Sequence, residues 1–162
     1  SLSKSFNMAS LHHAEVIIPN EDLRRQYNAC KSLMYHTDSD VIAETAITAA
    51  YTHPEAEMWL TDLLTLVKEN YEYMCSQLLQ ALPKLRISPM DGTYLVWIDF
   101  GAYVKAEDIH DIFENQCGIA PSFGEWFGGK SYATFVRLNL ATSLENIKIA
   151  TNSILQHVPP ND

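Results

Sequence analysis

The sequence predicts an α/β chain, and three observations carry that reading. The first fifty or so residues read as helix after helix, whereas the second half alternates in the order strand, strand, helix, strand, strand, helix. Thr93-Tyr94-Leu95-Val96-Trp97-Ile98-Asp99-Phe100 is rich in aromatic and β-branched residues, which suit a pleated, half-buried surface. Leu60, Leu63, Leu64, Val67, Tyr71, Met74, Leu78 and Leu82 recur at three- and four-residue steps, the spacing of one helix face. The change of character falls near residues 52–55, giving a helical part over 1–54 and an α/β part over 55–162.

Taken in order, Ser1 to Asn7 reads as a loop, and the chain opens without Met, as a processed protein or a piece of a longer one does. Ala14-Glu15-Val16-Ile17-Ile18 is a short strand-prone run closed by Pro19-Asn20. Asn20 is placed to cap a helix to about Met34, with Glu21 and Asp22 in the first turn, where the helix dipole favours acids. Ser39 or Asp40 starts another, through Tyr51. His53-Pro54 breaks it, and Pro54 opens the long helix, which must end before Pro83. Leu85-Arg86-Ile87 is a strand, Asp91-Gly92 a turn, and Thr93–Phe100 the main strand. Ala106 to Gln116 is a helix stopped at Gly118. Ile119-Ala120-Pro121 is extended, and Phe123 to Lys130, with three glycines, is a loop. Phe135 to Ala141 is a strand, and Ser143 caps a final helix to about His157.

The bulk numbers exclude classes of function. A length of 162 residues suffices for one compact domain, or one domain plus part of another. The net charge is −9 with a pI near 5.0, so the chain has no general attraction for phosphate backbones or anionic lipid. No apolar run reaches the length of a membrane span. Cys30, Cys75 and Cys117 are odd in number and widely spaced, which argues against a disulfide framework or zinc site. Reduced, mostly buried thiols in a cytoplasmic protein fit that spacing.

Two side chains stand out chemically. Lys4 by itself is a solvated surface charge. Arg137, between Val136 and Leu138 in an apolar strand, needs an anion, because burying an unpaired guanidinium is expensive. That anion is either an internal carboxylate or a ligand carboxylate, which the planar guanidinium fork suits.

The wider segments carry a resemblance. Ser1-Leu2-Ser3-Lys4-Ser5-Phe6-Asn7, followed by Val16-Ile17-Ile18-Pro19-Asn20, resembles the lysine segment of the cystathionine β-lyase branch of fold-type I pyridoxal-phosphate (PLP) enzymes, in the aminotransferase class I/II superfamily. Gly92-Thr93-Tyr94-Leu95-Val96-Trp97-Ile98-Asp99 resembles a strand of the family's small domain, and Phe135-Val136-Arg137-Leu138-Asn139 its carboxylate-binding strand. Pro121 to Gly128 sits where the family has a proline-containing loop ending in an aromatic-glycine pair. Tyr94 and Trp97 are left without a role.

The resemblance implies the C-terminal portion of the PLP-dependent transferase fold: a remnant of the large domain over 1–54 and the small domain over 55–162. It implies pyridoxal 5′-phosphate as cofactor, with Lys4 as the lysine that holds it and as the catalytic base. Ser1 and Ser3 match the serines that precede that lysine, the first of which commonly contacts the cofactor phosphate. Arg137 takes the substrate α-carboxylate. The implied activity is carbon–sulfur β-lysis of cystathionine or cysteine S-conjugates by a cytoplasmic homodimer acting on small amino acids, with no metal, nucleic acid or membrane partner. Ser10-Leu11-His12-His13-Ala14 lacks the basic residue and glycine that many aminotransferases carry there, which leans toward a lyase; His12 and His13 are loop histidines or face the phosphate. The family places most cofactor contacts ahead of the lysine, so the 162-residue chain alone is expected to be inactive. An aminotransferase and a non-catalytic interaction or regulatory module are the alternatives. An unrelated α/β binding domain is a further one, and it predicts Arg137 paired with an internal acid.

Overall fold

The computed structural model describes residues 2–11, 13–35 and 40–160. They form two compact units, Ser1–Thr61 and Asp62–Asp162, which divide inside one long helix.

The first unit is helical. Leu2–Ser5 forms a short helix, α1, rather than a loop, because Leu2 and Phe6 turn inward on the same face and Phe6 N–H closes the turn on Leu2 O at 3.0 Å. Its small core gathers Leu2, Phe6 and Ala50, with Met8, Ala46, Ile47 and Leu60 against them. Phe6 meets Tyr51 edge-on at 5.4 Å and stacks on Trp59 at 6.0 Å. The run Ala14–Ile18 is not a strand: among the described residues no extended segment pairs with it, and most of it is exposed. Helix α2, Glu21–Leu33, is capped by Asn20, whose Oδ1 accepts from Leu23 N–H at 3.0 Å. Helix α3, Val41–Thr52, is capped by Asp40, whose Oδ1 accepts from Ile42 N–H at 2.8 Å; Ser39 lies outside the described residues. Helix α4, Pro54–Ala81, starts at the expected proline.

The second unit is an α/β layer. Strands β1 (Arg86–Ile87), β2 (Leu95–Asp99), β3 (Ser122–Phe123) and β4 (Phe135–Asn139) form one antiparallel sheet in the order β1-β2-β4-β3. Val96, Ile98, Val136 and Leu138 turn to the buried face, where Met74 and Leu78 of α4, with Leu82 just after it, join Ile147 and Ile154 of the last helix, α6 (Leu144–His157). Period-two alternation puts Leu95, Trp97, Phe135 and Arg137 on the other face. The main strand is shorter than Thr93–Phe100: Thr93 has φ +63° and cannot continue a ladder, so pairing begins at Leu95. The helix expected over 106–116 is regular only at its end, a π-helical stretch over Asp111–Gln116 in which Cys117 N–H reaches Ile112 O at 2.8 Å. The wider turn seats Phe113 against Phe100 at 5.0 Å, both fully buried. The glycine loop after β3 contains a helical turn, α5 (Glu125–Gly128), and a 3₁₀ turn over Gly129–Tyr132. Gly124 and Gly128 permit that fold, since a Cβ there would lie 2.3 Å from Tyr132 O and 2.1 Å from the Tyr132 ring.

Asn70, fully buried on α4, donates from Nδ2 to Leu140 O at 2.9 Å and Thr142 O at 2.8 Å, tying the helix to the end of β4. The thiols differ from the expectation of general burial: Cys117 is buried, Cys75 half-buried, and Cys30 exposed on α2. Burial pushes the Cys75 and Cys117 thiols up.

Candidate substrate and cofactor site

β4 carries Arg137 opposite Trp97 of β2 and Ser122 of β3, so three strands set its surroundings. The guanidinium lies against the Phe127 ring, its Cζ 4.4 Å from the ring centroid and 5.8 Å from that of Trp97. One Nη donates to Ser122 Oγ at 3.2 Å. Nε is buried and has no hydrogen-bond partner, and among the described residues no carboxylate pairs with Arg137. Arg137 lines a cavity of about 290 Å³ with Ser122, Asn139, Thr142 and Asn146. Arg137 is thus a half-buried cation with one buried, unused donor, at a cavity whose remaining lining is mainly apolar, Met74, Leu95, Ile119 and Ile147 among it.

The nearby buried carboxylate goes elsewhere. Asp99 is 3% exposed and is bound by Arg86, with Arg86 Nε at 3.0 Å. Its other oxygen accepts from Thr134 Oγ1 at 2.7 Å and Gly101 N–H at 2.9 Å. Burial alone pushes the Asp99 carboxyl up, but these donors and the Arg86 charge outweigh it and hold the group below the usual aspartate range. Asp99 is thus committed to Arg86, Thr134 and Gly101.

Lys4 lies in the first unit, on α1, where Leu2 and Phe6 point inward and the lysine outward, exposed. Ser3, half-buried, shares that turn; Ser1 lies outside the described residues, as does His12. His13 is 3.9 Å from Glu15. Lys4 and Ser3 are therefore placed together, while Arg137 belongs to the other unit. Sequence reasoning left Trp97 unassigned and missed Ser122 and Phe127 as Arg137's neighbours; the strand alternation placing Trp97 on Arg137's face was the available signal.

No family model matches the chain. It is 35% identical over 149 residues to the cystathionine β-lyase PatB of Bacillus subtilis, covering 90% of this chain and 37% of that protein. It is 28% identical over 146 residues to the cystathionine β-lyase of Corynebacterium glutamicum, covering 90% and 38%. Among solved structures, the PLP-bound C–S lyase of Staphylococcus hominis in complex with L-cycloserine superposes with a TM-score of 0.83 at 28% identity, covering 98% of this chain and 38% of that one. The chain has the C-terminal part of the PLP-dependent transferase fold. Its sequence relatives are cystathionine β-lyases of that superfamily, of whose length it spans less than two fifths.

Proposed function

We propose that this chain supplies the lysine and the arginine of a PLP-dependent carbon–sulfur β-lyase acting on cystathionine or cysteine S-conjugates. The observation that carries the reading is Arg137: a half-buried guanidinium lining a cavity, with one donor buried and unused, while the buried acid Asp99 is taken by Arg86. The residues on α1 suit an aldehyde-bearing, phosphorylated cofactor, since an exposed amine and a serine hydroxyl share one turn. PLP, when bound, supplies the electron sink that makes an amino acid's α-proton acidic. Lys4 Nζ is the group that holds the cofactor and then carries that proton. Ser3, with Ser1, offers hydroxyls toward the phosphate. Arg137 grips and orients the substrate carboxylate through Nε and an Nη, as a bidentate fork. With one water consumed, the products are then a thiol, pyruvate and ammonia.

The same reading carries a cytoplasmic homodimer. Exposed apolar side chains of the first unit, such as Ile17 and Tyr35, support an assembly that covers them.

Pyruvate release from L-cystathionine by the complete protein tests the activity. Lys4→Ala should abolish it, and borohydride reduction in the presence of PLP should label Lys4. Arg137→Ala should raise KM about ten-fold or more, the loss expected for hydrogen bonds to a charged group. Amino transfer to a keto acid without pyruvate would replace the lyase by an aminotransferase, and label on other lysines would remove Lys4 from the site.

A further inference from the structure

We propose that His110 and Glu125 form a latch that positions Arg137 through Phe127. This rests on reading Arg137 as the carboxylate-binding arginine.

The latch begins on the buried core. His110 stacks on Phe123 with centroids 3.6 Å apart and planes 24° from parallel, and Phe123 is fully buried. The imidazole's orientation is thereby fixed. Its Nε2 lies 2.9 Å from Glu125 Oε1, and its Nδ1 3.7 Å from Glu114 Oε2. Glu125 opens α5, and two residues later Phe127 lies on the Arg137 guanidinium and meets Trp97 edge-on at 5.3 Å. One four-residue turn therefore carries the latch and the ring that backs the arginine.

The latch adds to a light set of contacts on α5: the N–H groups of Phe127 and Gly128 donate to Gly124 O at 3.0 and 3.1 Å, and Trp126 meets Phe123 edge-on at 5.4 Å. None of its residues is buried; Trp126 is 62% exposed and Phe127 54%. Its entry is fixed at Gly124, whose N–H donates to Phe135 O at 2.8 Å, but beyond that point burial supplies almost nothing. Releasing Glu125 frees α5 to move. Phe127 then leaves the guanidinium, and Arg137 gains rotamers that must be lost again when a carboxylate binds. His110 and Glu125 touch no reacting atom; they are positioning residues.

The test uses the full chain and its Arg Nε–Hε NMR signals, which the four arginines keep readable. In the unsubstituted chain the Arg137 Hε signal should show a ring-current shift from Phe127. Propionate, the carboxylate probe, should move it. His110→Ala and Glu125→Ala should each remove the ring-current shift and weaken propionate binding about three-fold, the scale of one exposed cation–π contact. Glu125→Gln, which keeps an acceptor oxygen for the imidazole, should behave like the unsubstituted chain. The Arg86 signal, held by Asp99, should stay in place throughout and report an intact fold. An unchanged Arg137 signal in both alanine variants overturns the latch. A chain that ignores propionate overturns the carboxylate reading instead, and the ring-current shift then still decides whether the latch exists.

Discussion

The α/β unit is held from within, whereas the helical unit is held mainly by its own backbone. In the former, nineteen buried apolar side chains form one continuous core around the sheet, α4 and α6. In the latter, among the described residues, the buried cluster is Leu2, Phe6 and Ala50, and α2 buries no residue. What keeps α2 helical is local: the Asn20 cap, acids in its first turn, and ion pairs such as Arg24–Glu21 at 3.8 Å. A thirteen-residue helix sustained this way is marginal in water, so apolar faces carrying Leu23, Tyr27 and Leu33 remain to be covered. The comparison teaches where each candidate site gains its rigidity. Arg137 stands on a closed core; Lys4 stands on a turn fixed by two side chains.

Core truncation should expose that contrast most strongly. Phe113→Ala removes a fully buried ring packed on Phe100 and should cost about 3–5 kcal/mol in urea unfolding. Phe6→Ala, in the small cluster of the helical unit, should cost less, about 1–2 kcal/mol. Equal effects would mean that the helical unit has a core of comparable strength.

A buried polar anchor comes next. Asp99→Ala leaves the Thr134 hydroxyl and Gly101 N–H without their acceptor and should cost about 2–3 kcal/mol. Because the Asp99 carboxyl is lowered in the folded state, it releases its proton more readily folded than unfolded. Its contribution is therefore present above the ordinary aspartate range and is lost as pH falls through the lowered folded-state value. Unfolding followed from pH 7 down to pH 2 should show that loss in the parent chain and a flatter profile in Asp99→Asn. Parallel profiles would break the assignment.

Much of this was legible in the sequence, for identifiable reasons. Asn20, Asp40 and Ser143 are side-chain caps whose chemistry is local, and the helices start where they stand. Arg137 was visible because a charge inside an apolar strand is costly wherever the strand lies. Its neighbours were not: Ser122 and Phe127 reach it through sheet pairing and a glycine-dependent turn, which no local pattern encodes. The Ala14–Ile18 run misled because strand propensity describes a surface for pairing, and no partner strand exists among the described residues.

A smaller effect tests whether α2 depends on its cap. Asn20→Ala should cost about 1 kcal/mol of local helix stability. Amide hydrogen exchange should accelerate in the first turns of α2 while β2 and β4 are unchanged. Acceleration in the sheet as well would show that the two units unfold together.

The smallest effect concerns the residue that ends the main strand early. Thr93 is β-branched and exposed at φ +63°, a left-handed conformation in which its Cβ crowds the backbone at about 1–2 kcal/mol. Thr93→Gly removes that strain but adds about 0.5–1 kcal/mol of backbone entropy to be lost on folding. The net expectation is a gain of about 0.5 kcal/mol, read as a higher urea midpoint with an unchanged slope. A loss of similar size would mean that the threonine earns its place through contacts of its side chain. In either case the effect belongs to the α/β unit, where the turn from Asp91 to Tyr94 delivers Leu95 into register with Asn139 and so sets Trp97 opposite Arg137.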